Sequence, residues 1–225
     1  MYGATLRFCL PPAEAVPADF IISLSAPSGQ AVTVKYATAN VTAMAGSEYT
    51  AKLLTTLTFL PGETTKTFAV SVTGDLLDEP AETFRLVLSS PVNATIAIAA
   101  GTCTITDNDA PPSFTITNAT VMEPDSGVVV ATFTVKLSAA SEQTVSVKYA
   151  TANGTTAPAT AGTDYTAVAL TTLTFAPWEV TKSVSVQVKA EIIKEANETF
   201  FVNLSGPINA TIADAQGLGT ILNDD

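Results

Sequence analysis

Histidine is absent from this 225-residue chain, and positively charged side chains are scarce. Lys and Arg total 10 against 21 Asp and Glu, which gives a formal net charge of -11. The lack of histidine removes the commonest general base and the commonest transition-metal ligand. A glycine-rich phosphate loop and an H-E-x-x-H motif are also missing. We therefore predict that the chain is not an enzyme.

The charge balance and the short apolar runs exclude further classes of partner. A negatively charged protein repels phosphate backbones and anionic membranes, so we expect no nucleic acid as a partner. No apolar run reaches the roughly 18 residues of a membrane helix, so we expect no direct membrane insertion. No signal peptide is visible, and we expect the secretion signal to lie outside this sequence. The two cysteines, Cys9 and Cys103, have no metal-ligand spacing. They are either separate buried thiols or one bridge.

The most informative feature present is an internal repeat. VTVKYATAN at Val32–Asn40 returns as VSVKYATAN at Val145–Asn153, and TTLTF at Thr55 returns at Thr171. The offset changes from 113 to 116 because the loop GTTAPATAGTDY of the second copy has three extra residues. A period of about 115 residues is the length of a whole domain. We predict domain 1 at residues 1–109, with an atypical N-terminal strand, a linker at 110–112 and domain 2 at residues 113–225.

Within each copy, apolar and polar residues alternate with the period of two that a half-buried strand requires. In TVSVKYAT, Val145, Val147 and Tyr149 alternate with polar neighbours. The pattern predicts an all-β fold of two tandem immunoglobulin-like β-sandwiches with about seven strands each. Tyr49 and Tyr165 are expected at the core edge, where their hydroxyls need a partner. Trp178 is expected in an exposed turn.

Several spaced motifs occur in the same order in both copies. The second copy has V-x-E-x-D-x-G at 121–127, then AGTDY, TLTFAPWEVTKSVSV, EIIKEANETFFVNLS and GLGTILNDD. The first copy has TLTFLPGETTKTFAV, DLLDEPAETF and GTCTITDND. This set resembles the Calx-β domain, found in regulatory loops of sodium–calcium exchangers and in bacterial surface proteins. The resemblance implies that loops at one end of each sandwich bind Ca2+ through carboxylates, and calcium takes six to eight hard oxygen ligands.

The resemblance also implies which residues hold the ions: several carboxylates and one backbone carbonyl in each copy. In the second copy these are Glu123, Asp164, Glu191, Glu195, Glu198, Asp224 and Asp225, with the carbonyl of Ile193. In the first copy they are Glu48, Asp75, Glu79, Glu82, Asp107 and Asp109, with the carbonyl of Leu77. Departures from the family pattern, including Ala190 and Gly74 in place of a further acid, reduce the expected number to one or two ions per domain. Leu10 stands where the second copy has Glu123, and Lys194 lies among the acids of the second copy.

These observations favour a calcium-binding structural or adhesion module, a calcium-rigidified spacer within a larger secreted or cell-surface protein. The expected partners are calcium ions, neighbouring domains of the parent protein and another cell-surface or matrix protein. A regulatory calcium sensor inside a transporter or larger protein is the first alternative. The second is a metal-free sandwich that binds carbohydrate or protein. In the simplest alternative the acids have no binding role and are solvated loop residues that keep the protein soluble.

Overall fold

The computed structural model of the chain describes residues 2–6 and 16–224. The chain forms two compact units, Met1–Asp109 and Ala110–Asp225. Cys9, Leu10 and Asp225 lie outside the described residues, so the state of Cys9 and the metal-binding role of Asp225 stay predictions. Among the described residues, no helix has the length and apolar character needed to span a membrane.

The first domain is a β-sandwich. Its described strands are β1 (Tyr2–Leu6), β2 (Val16–Leu24), β3 (Val32–Asn40), β4 (Thr55–Phe59), β5 (Thr65–Val72), β6 (Glu82–Val92) and β7 (Ala100–Ile105). One sheet has the order β1-β2-β5 and the other β4-β3-β6-β7, with antiparallel pairing throughout.

The second domain repeats this plan with its first strand divided between the sheets. Its strands are β8 (Ser113–Ile116), β9 (Ala119–Met122), β10 (Val128–Leu137), β11 (Val145–Asn153), β12 (Thr171–Phe175), β13 (Thr181–Lys189), β14 (Glu198–Ile208), β15 (Thr211–Ile212) and β16 (Gln216–Leu222). The sheets have the orders β13-β10-β8-β15 and β12-β11-β14-β16-β9. The predicted all-β sandwich fold is therefore confirmed. The second domain exceeds seven strands because β8 and β9 pair with different sheets and because β15 is a separate short strand.

The cores follow from the alternation seen in the sequence. On β13, Val184, Val186 and Val188 are buried while their polar neighbours are exposed. Phe133 of one sheet meets Phe200 of the other with ring centroids 5.8 Å apart. In the first domain Phe20 and Phe84 join the two sheets at the same 5.8 Å. Each buried aromatic ring contributes a few kcal/mol through apolar burial, so each domain has a core of its own.

Two turn motifs recur with a clear backbone reason. Asn93 and Asn209, from the repeated NATIA sequence, have φ values of 61° and 55°, a conformation that asparagine tolerates. Their side-chain amides donate to the carbonyls of Ala31, at 2.8 Å, and Thr144, at 3.0 Å. These amide groups are therefore engaged in closing the turn.

The turn before the fifth major strand differs between the copies. Pro61-Gly62 in the first copy gives Gly62 a φ of 87°, and Trp178 takes the same place with a φ of 69°. A type II turn prefers glycine at this position because a side chain is strained there. Trp178 is 59% exposed, which agrees with its predicted place in an exposed turn.

Strand pairing brings three loops to one end of each sandwich, which we call the acidic pole. In the first domain Asn40 at the end of β3 pairs with Phe84 near the start of β6. Glu82, which begins β6, pairs with Ile105 at the end of β7. The loops at 41–49 and 73–81 and the segment at 106–109 therefore meet at this end. In the second domain the corresponding pairs are Asn153 with Phe200 and Glu198 with Ile221.

Candidate metal centre

The acidic pole of the first domain contains an open cleft. All six carboxylates predicted for this domain line it: Glu48, Asp75, Glu79, Glu82, Asp107 and Asp109. They come from three separate loops, which only the sandwich topology brings together. The residues that line the cleft do not include Leu77, whose carbonyl was a predicted ligand. The amide of Leu77 instead donates to Asp75 Oδ1 at 2.8 Å.

The surroundings of Asp109 disfavour an additional negative charge. Burial raises the pKa of the Asp109 carboxyl, and the charges of Asp107, Asp75 and Asp78 raise it further. Asp78 is only 7% exposed and was not among the predicted ligands. The second copy has Lys194 at the corresponding position, so comparison of the copies gave no signal for Asp78. Its burial among other carboxylates adds a further acid to this pole.

The second acidic pole gathers its acids around Glu123. This side chain follows β9, which runs parallel to β16 and ends beside Leu222. Glu123 is 5% exposed. Burial raises the pKa of its carboxyl, and the charges of Glu191, Asp164, Glu195 and Asp224 add to the effect. Five predicted acids from four motifs therefore interact electrostatically at one end of the second sandwich.

Glu198 has the strongest shift at this pole. Burial raises the pKa of its carboxyl to about 7, and the charge of Asp164, a hydrogen bond with Asp164 and the charges of Glu195 and Glu123 reinforce the rise. The predicted carbonyl ligand, Ile193 O, accepts a hydrogen bond from Asn223 Nδ2 at 3.3 Å. This bond joins the loop before β14 to the segment after β16.

The donor set fits a hard divalent cation. Carboxylate and carbonyl oxygens suit calcium or magnesium, whereas the imidazole and thiolate ligands typical of zinc or copper are not among the predicted ligands. Burial and, to a smaller extent, the repulsion of neighbouring carboxylates raise the pKa values of Asp109, Glu123 and Glu198. A divalent ion would relieve that repulsion. In the part of the chain that the structure describes, however, no three Asp, Glu, Cys or His side chains lie close enough together to form a metal-binding group. The ligand assignments therefore stay predictions.

Positive charge distinguishes the second pole from the first. Lys189 Nζ donates to the carbonyl of Gly162, and Lys194 lies in the acidic loop with its side chain exposed. At the corresponding positions the first copy has Thr73 and Asp78. Lys194 is recognisable in the sequence because it lies among acids, whereas Lys189 gives no such signal because it lies at the end of a regular strand. The first pole is thus the more negative of the two.

Two other acids of the repeat lie in turns away from the poles. Glu63 forms an ion pair with Lys66 at 2.7 Å, and Glu179 forms one with Lys182 at 2.8 Å. Their carboxylates also accept from the amides of Leu60 and Ala176, respectively. These acids close the turns that precede β5 and β13.

Comparison with solved structures found several similar tandem and single domains. The crystal structure of CBD12 from CALX1.2 is 21% identical with a TM-score of 0.42, covering 91% of this chain and 92% of that chain. The calcium binding domain CBD12 of CALX1.1 is 18% identical with a TM-score of 0.45, covering 96% of each chain. The apo-form Calx CBD1 domain is 24% identical with a TM-score of 0.43, covering 52% of this chain and all of that one (100%). At these identities and scores the likenesses carry no functional argument.

The family assignment rests on the sequence itself. No significant match to a curated protein was found. The family described as the Calx-beta domain matches twice, at residues 14–111 and 107–220. These matches confirm the resemblance read from the motifs, and they confirm the prediction of a non-catalytic chain because Calx-beta domains are regulatory calcium-binding modules. The chain therefore belongs to the Calx-beta domain family, of which it contains two tandem copies.

Proposed function

We propose that each domain of this chain binds calcium at its acidic pole and that the pair acts as a calcium-rigidified spacer within a larger extracellular or surface protein. The observation that supports this most strongly is the cleft in the first domain, which six carboxylates from three loops line together. Surface acids that served solubility alone would have no reason to converge in this way. Family membership supports the choice of calcium.

Electrostatics explain how an ion would stiffen the poles. Two like charges about 4 Å apart repel by about 1 kcal/mol in water and by about 4 kcal/mol at a protein-surface dielectric. The three loops of a pole therefore resist close approach until a cation neutralises them. In the first domain Glu48, Asp75, Glu79, Glu82, Asp107 and Asp109 would hold the ion, which would supply charge neutralisation and a cross-link between loops.

The position of the first pole in the chain gives this stiffening a mechanical consequence. Asp107 and Asp109 line the cleft and directly precede the linker at 110–112. Ordering these two residues would order the segment that enters the linker. Two of the three linker residues are proline, which fixes φ and limits bending. This connectivity supports the proposed spacer role.

An extracellular location fits the expected strength of the sites. Dissociation constants of about 10⁻⁴ to 10⁻³ M are typical of extracellular calcium modules. The positive charges of Lys189 and Lys194 lower the attraction of the second pole for a cation, which favours a dissociation constant in that range. The expected partners are neighbouring domains of the parent protein and another cell-surface or matrix protein.

A regulatory sensor is the second candidate, because Calx-beta domains are regulatory calcium-binding modules. Small-angle X-ray scattering of the chain in chelator and in millimolar calcium separates the two roles. For a spacer we expect calcium to narrow the distribution of interdomain distances without moving its mean. A shift to a new mean distance would favour the sensor. Identical scattering curves in calcium and in chelator would contradict both roles. The variant Asp107→Asn/Asp109→Asn is the matched control, and we expect calcium to cause no change in its scattering curve.

A further inference from the structure

A buried tyrosine and an asparagine form a hydrogen bond next to the acidic pole of each domain. In the second domain Tyr165 OH donates to Asn153 Oδ1 at 2.8 Å, and the amide of Ala161 donates to the same oxygen at 3.0 Å. Asn153 is the last residue of β11. One side-chain oxygen at the end of this strand thus binds both the beginning and the end of a tight turn at 161–165.

The residue held by this turn is Asp164. Its amide donates to the carbonyl of Thr160 at 3.1 Å, and its Oδ2 accepts from the amide of Thr160 at 2.5 Å. Its own carbonyl accepts from the amide of Lys189 at 2.8 Å, which ties the turn to the end of β13. Asp164 is consequently only 9% exposed, and its charge acts on both Glu123 and Glu198.

The first domain contains the same network in front of Glu48. Tyr49 OH donates to Asn40 Oδ1 at 2.5 Å, and the amide of Ala45 donates to that oxygen at 3.1 Å. The carbonyl of Glu48 accepts from the amide of Thr73 at 2.8 Å. Both an acid and its neighbouring tyrosine are thus attached to the same two strands in each copy.

The network persists although the loops differ in length. Asn40 and Tyr49 are 9 positions apart, and Asn153 and Tyr165 are 12 apart. The three extra residues are taken up before the turn, where Gly154 and Ala159 both donate to the carbonyl of Thr199 at 2.9 Å. An insertion that leaves the downstream bonds unchanged indicates that the placement of the acid, and not the length of the loop, is what the network fixes.

The rings of the tyrosines have a separate role in the core. Tyr165 stacks on Phe200 at 4.8 Å and Tyr49 on Phe84 at 4.2 Å, and each tyrosine is 1% exposed. The ring packing accounts for the aromatic character of these residues but not for their hydroxyls. The hydroxyl of Tyr165 donates to Asn153 Oδ1, and that of Tyr49 donates to Asn40 Oδ1. Because the buried hydroxyl of Tyr165 donates to the last residue of β11, it also fixes the orientation of the turn relative to that strand.

We infer that Asn153 and Tyr165, with their counterparts Asn40 and Tyr49, are positioning residues of the calcium sites, whose hydrogen bond holds Asp164 or Glu48 at the acidic pole. The inference rests on the proposed calcium binding. Preorganised ligands bind more tightly because less ordering remains to be done when the ion arrives. The hydroxyl–amide bond therefore acts on calcium affinity through the acid that it places.

The test uses the full chain with Asp75→Asn and Asp107→Asn, which confines calcium binding to the second domain. In this background Tyr165→Phe keeps the stacked ring and removes only the hydroxyl. We expect isothermal titration with calcium, well below the melting temperature, to show an affinity about fivefold lower, as loss of one hydrogen bond predicts. Tyr149→Phe removes the hydroxyl of a tyrosine in the middle of β11, away from the pole, so it is the matched control and should leave the affinity unchanged.

Variants of the acceptor separate positioning from a merely structural effect. Asn153→Ala removes the shared oxygen and should weaken calcium binding as Tyr165→Phe does. Asn153→Asp retains an acceptor oxygen and adds a negative charge that attracts the cation, so it should not weaken binding. Circular dichroism in chelator checks that each variant is folded at the titration temperature. A Tyr165→Phe affinity within twofold of its background, whatever its melting temperature, would overturn the inference. If the unmodified chain binds no calcium, the proposed function itself fails, and this inference with it.

Discussion

Replacing both Asp75 and Asp107 by asparagine is expected to stabilise the chain in chelator and to weaken its stabilisation by calcium. Both side chains line the cleft of the first domain and raise the pKa of Asp109. Removing their charges relieves the repulsion between carboxylates that destabilises the folded pole in chelator. With calcium at about a hundred times its dissociation constant, loss of binding removes about 2.7 kcal/mol of stabilisation from the domain. Thermal melts of variant and parent in chelator and in calcium measure both effects.

The experiment is informative because the expected change in stability has opposite signs in chelator and in calcium. An acid that only keeps the protein soluble would, when neutralised, shift the melting temperature equally in both buffers. Glu63→Gln provides the matched control, since Glu63 is paired with Lys66 in a turn away from the pole. We expect this control to leave unchanged the rise in melting temperature that calcium causes. A double variant that is less stable than the parent in chelator would contradict the proposed repulsion at the pole.

The stability of the second domain in chelator should fall as the pH rises from about 4.5 to about 7. Burial and the neighbouring Asp164 raise the pKa of Glu198 from 4.5 to about 7 in the folded state. Within this window the folded state binds more protons than the unfolded state, so unfolding becomes easier as the proton is lost. Because Glu198 is only half-buried, we expect a loss of about 1 to 2 kcal/mol, less than the full shift would give.

Glu198→Gln isolates this contribution, since glutamine is neutral at every pH and keeps an N–H donor for Asp164. Denaturant titrations in chelator at pH 5 and pH 8 measure the unfolding free energy of parent and variant. We expect the unfolding free energy of the parent, relative to that of the variant, to be lower at pH 8 than at pH 5. Calcium should bind the parent more tightly as the pH rises through the same window, because the ion competes with the proton. A parent that gains stability over the variant between pH 5 and pH 8 would show that the Glu198 pKa is not raised.

The fold could be predicted from the sequence because its signals are local and repeated. Alternation with a period of two in segments such as VSVKYATAN identified half-buried strands, and the offset between copies defined the domain unit. The extra strands of the second domain were not predictable in this way. β8 and β9 are short and consecutive, and nothing in their residues shows that one pairs with β10 and the other with β16.

The acids of the candidate sites were found through family motifs, and the structure adds what a motif does not contain. Asp78 lies between predicted ligands, yet its burial depends on the loop conformation and not on its neighbours in sequence. The raised pKa of Glu198 depends on Asp164, which lies far from it along the chain. Lys189 reaches the carbonyl of Gly162 from the end of a strand. Each of these features depends on distances between separate parts of the chain, which a sequence motif does not contain.

The bond between Tyr165 and Asn153 shows a second limit of sequence reasoning. A buried tyrosine hydroxyl was expected to find a partner, but the partner could not be named. The spacing between asparagine and tyrosine differs between the copies, so comparing them position by position does not align the pair. The common feature is the geometry of the turn that both side chains close.

Calcium titration of the unmodified chain by isothermal calorimetry, with magnesium as the control ion, tests the central claim most directly. We expect saturable calcium binding that is abolished by chelator and not reproduced by magnesium at the same concentration, because the smaller ion demands near-ideal octahedral geometry and keeps its waters. The accompanying melting temperature should rise by several degrees in calcium. A chain that shows neither heat of binding nor a change in melting temperature would contradict the account, and its acidic poles would then be solvated surface.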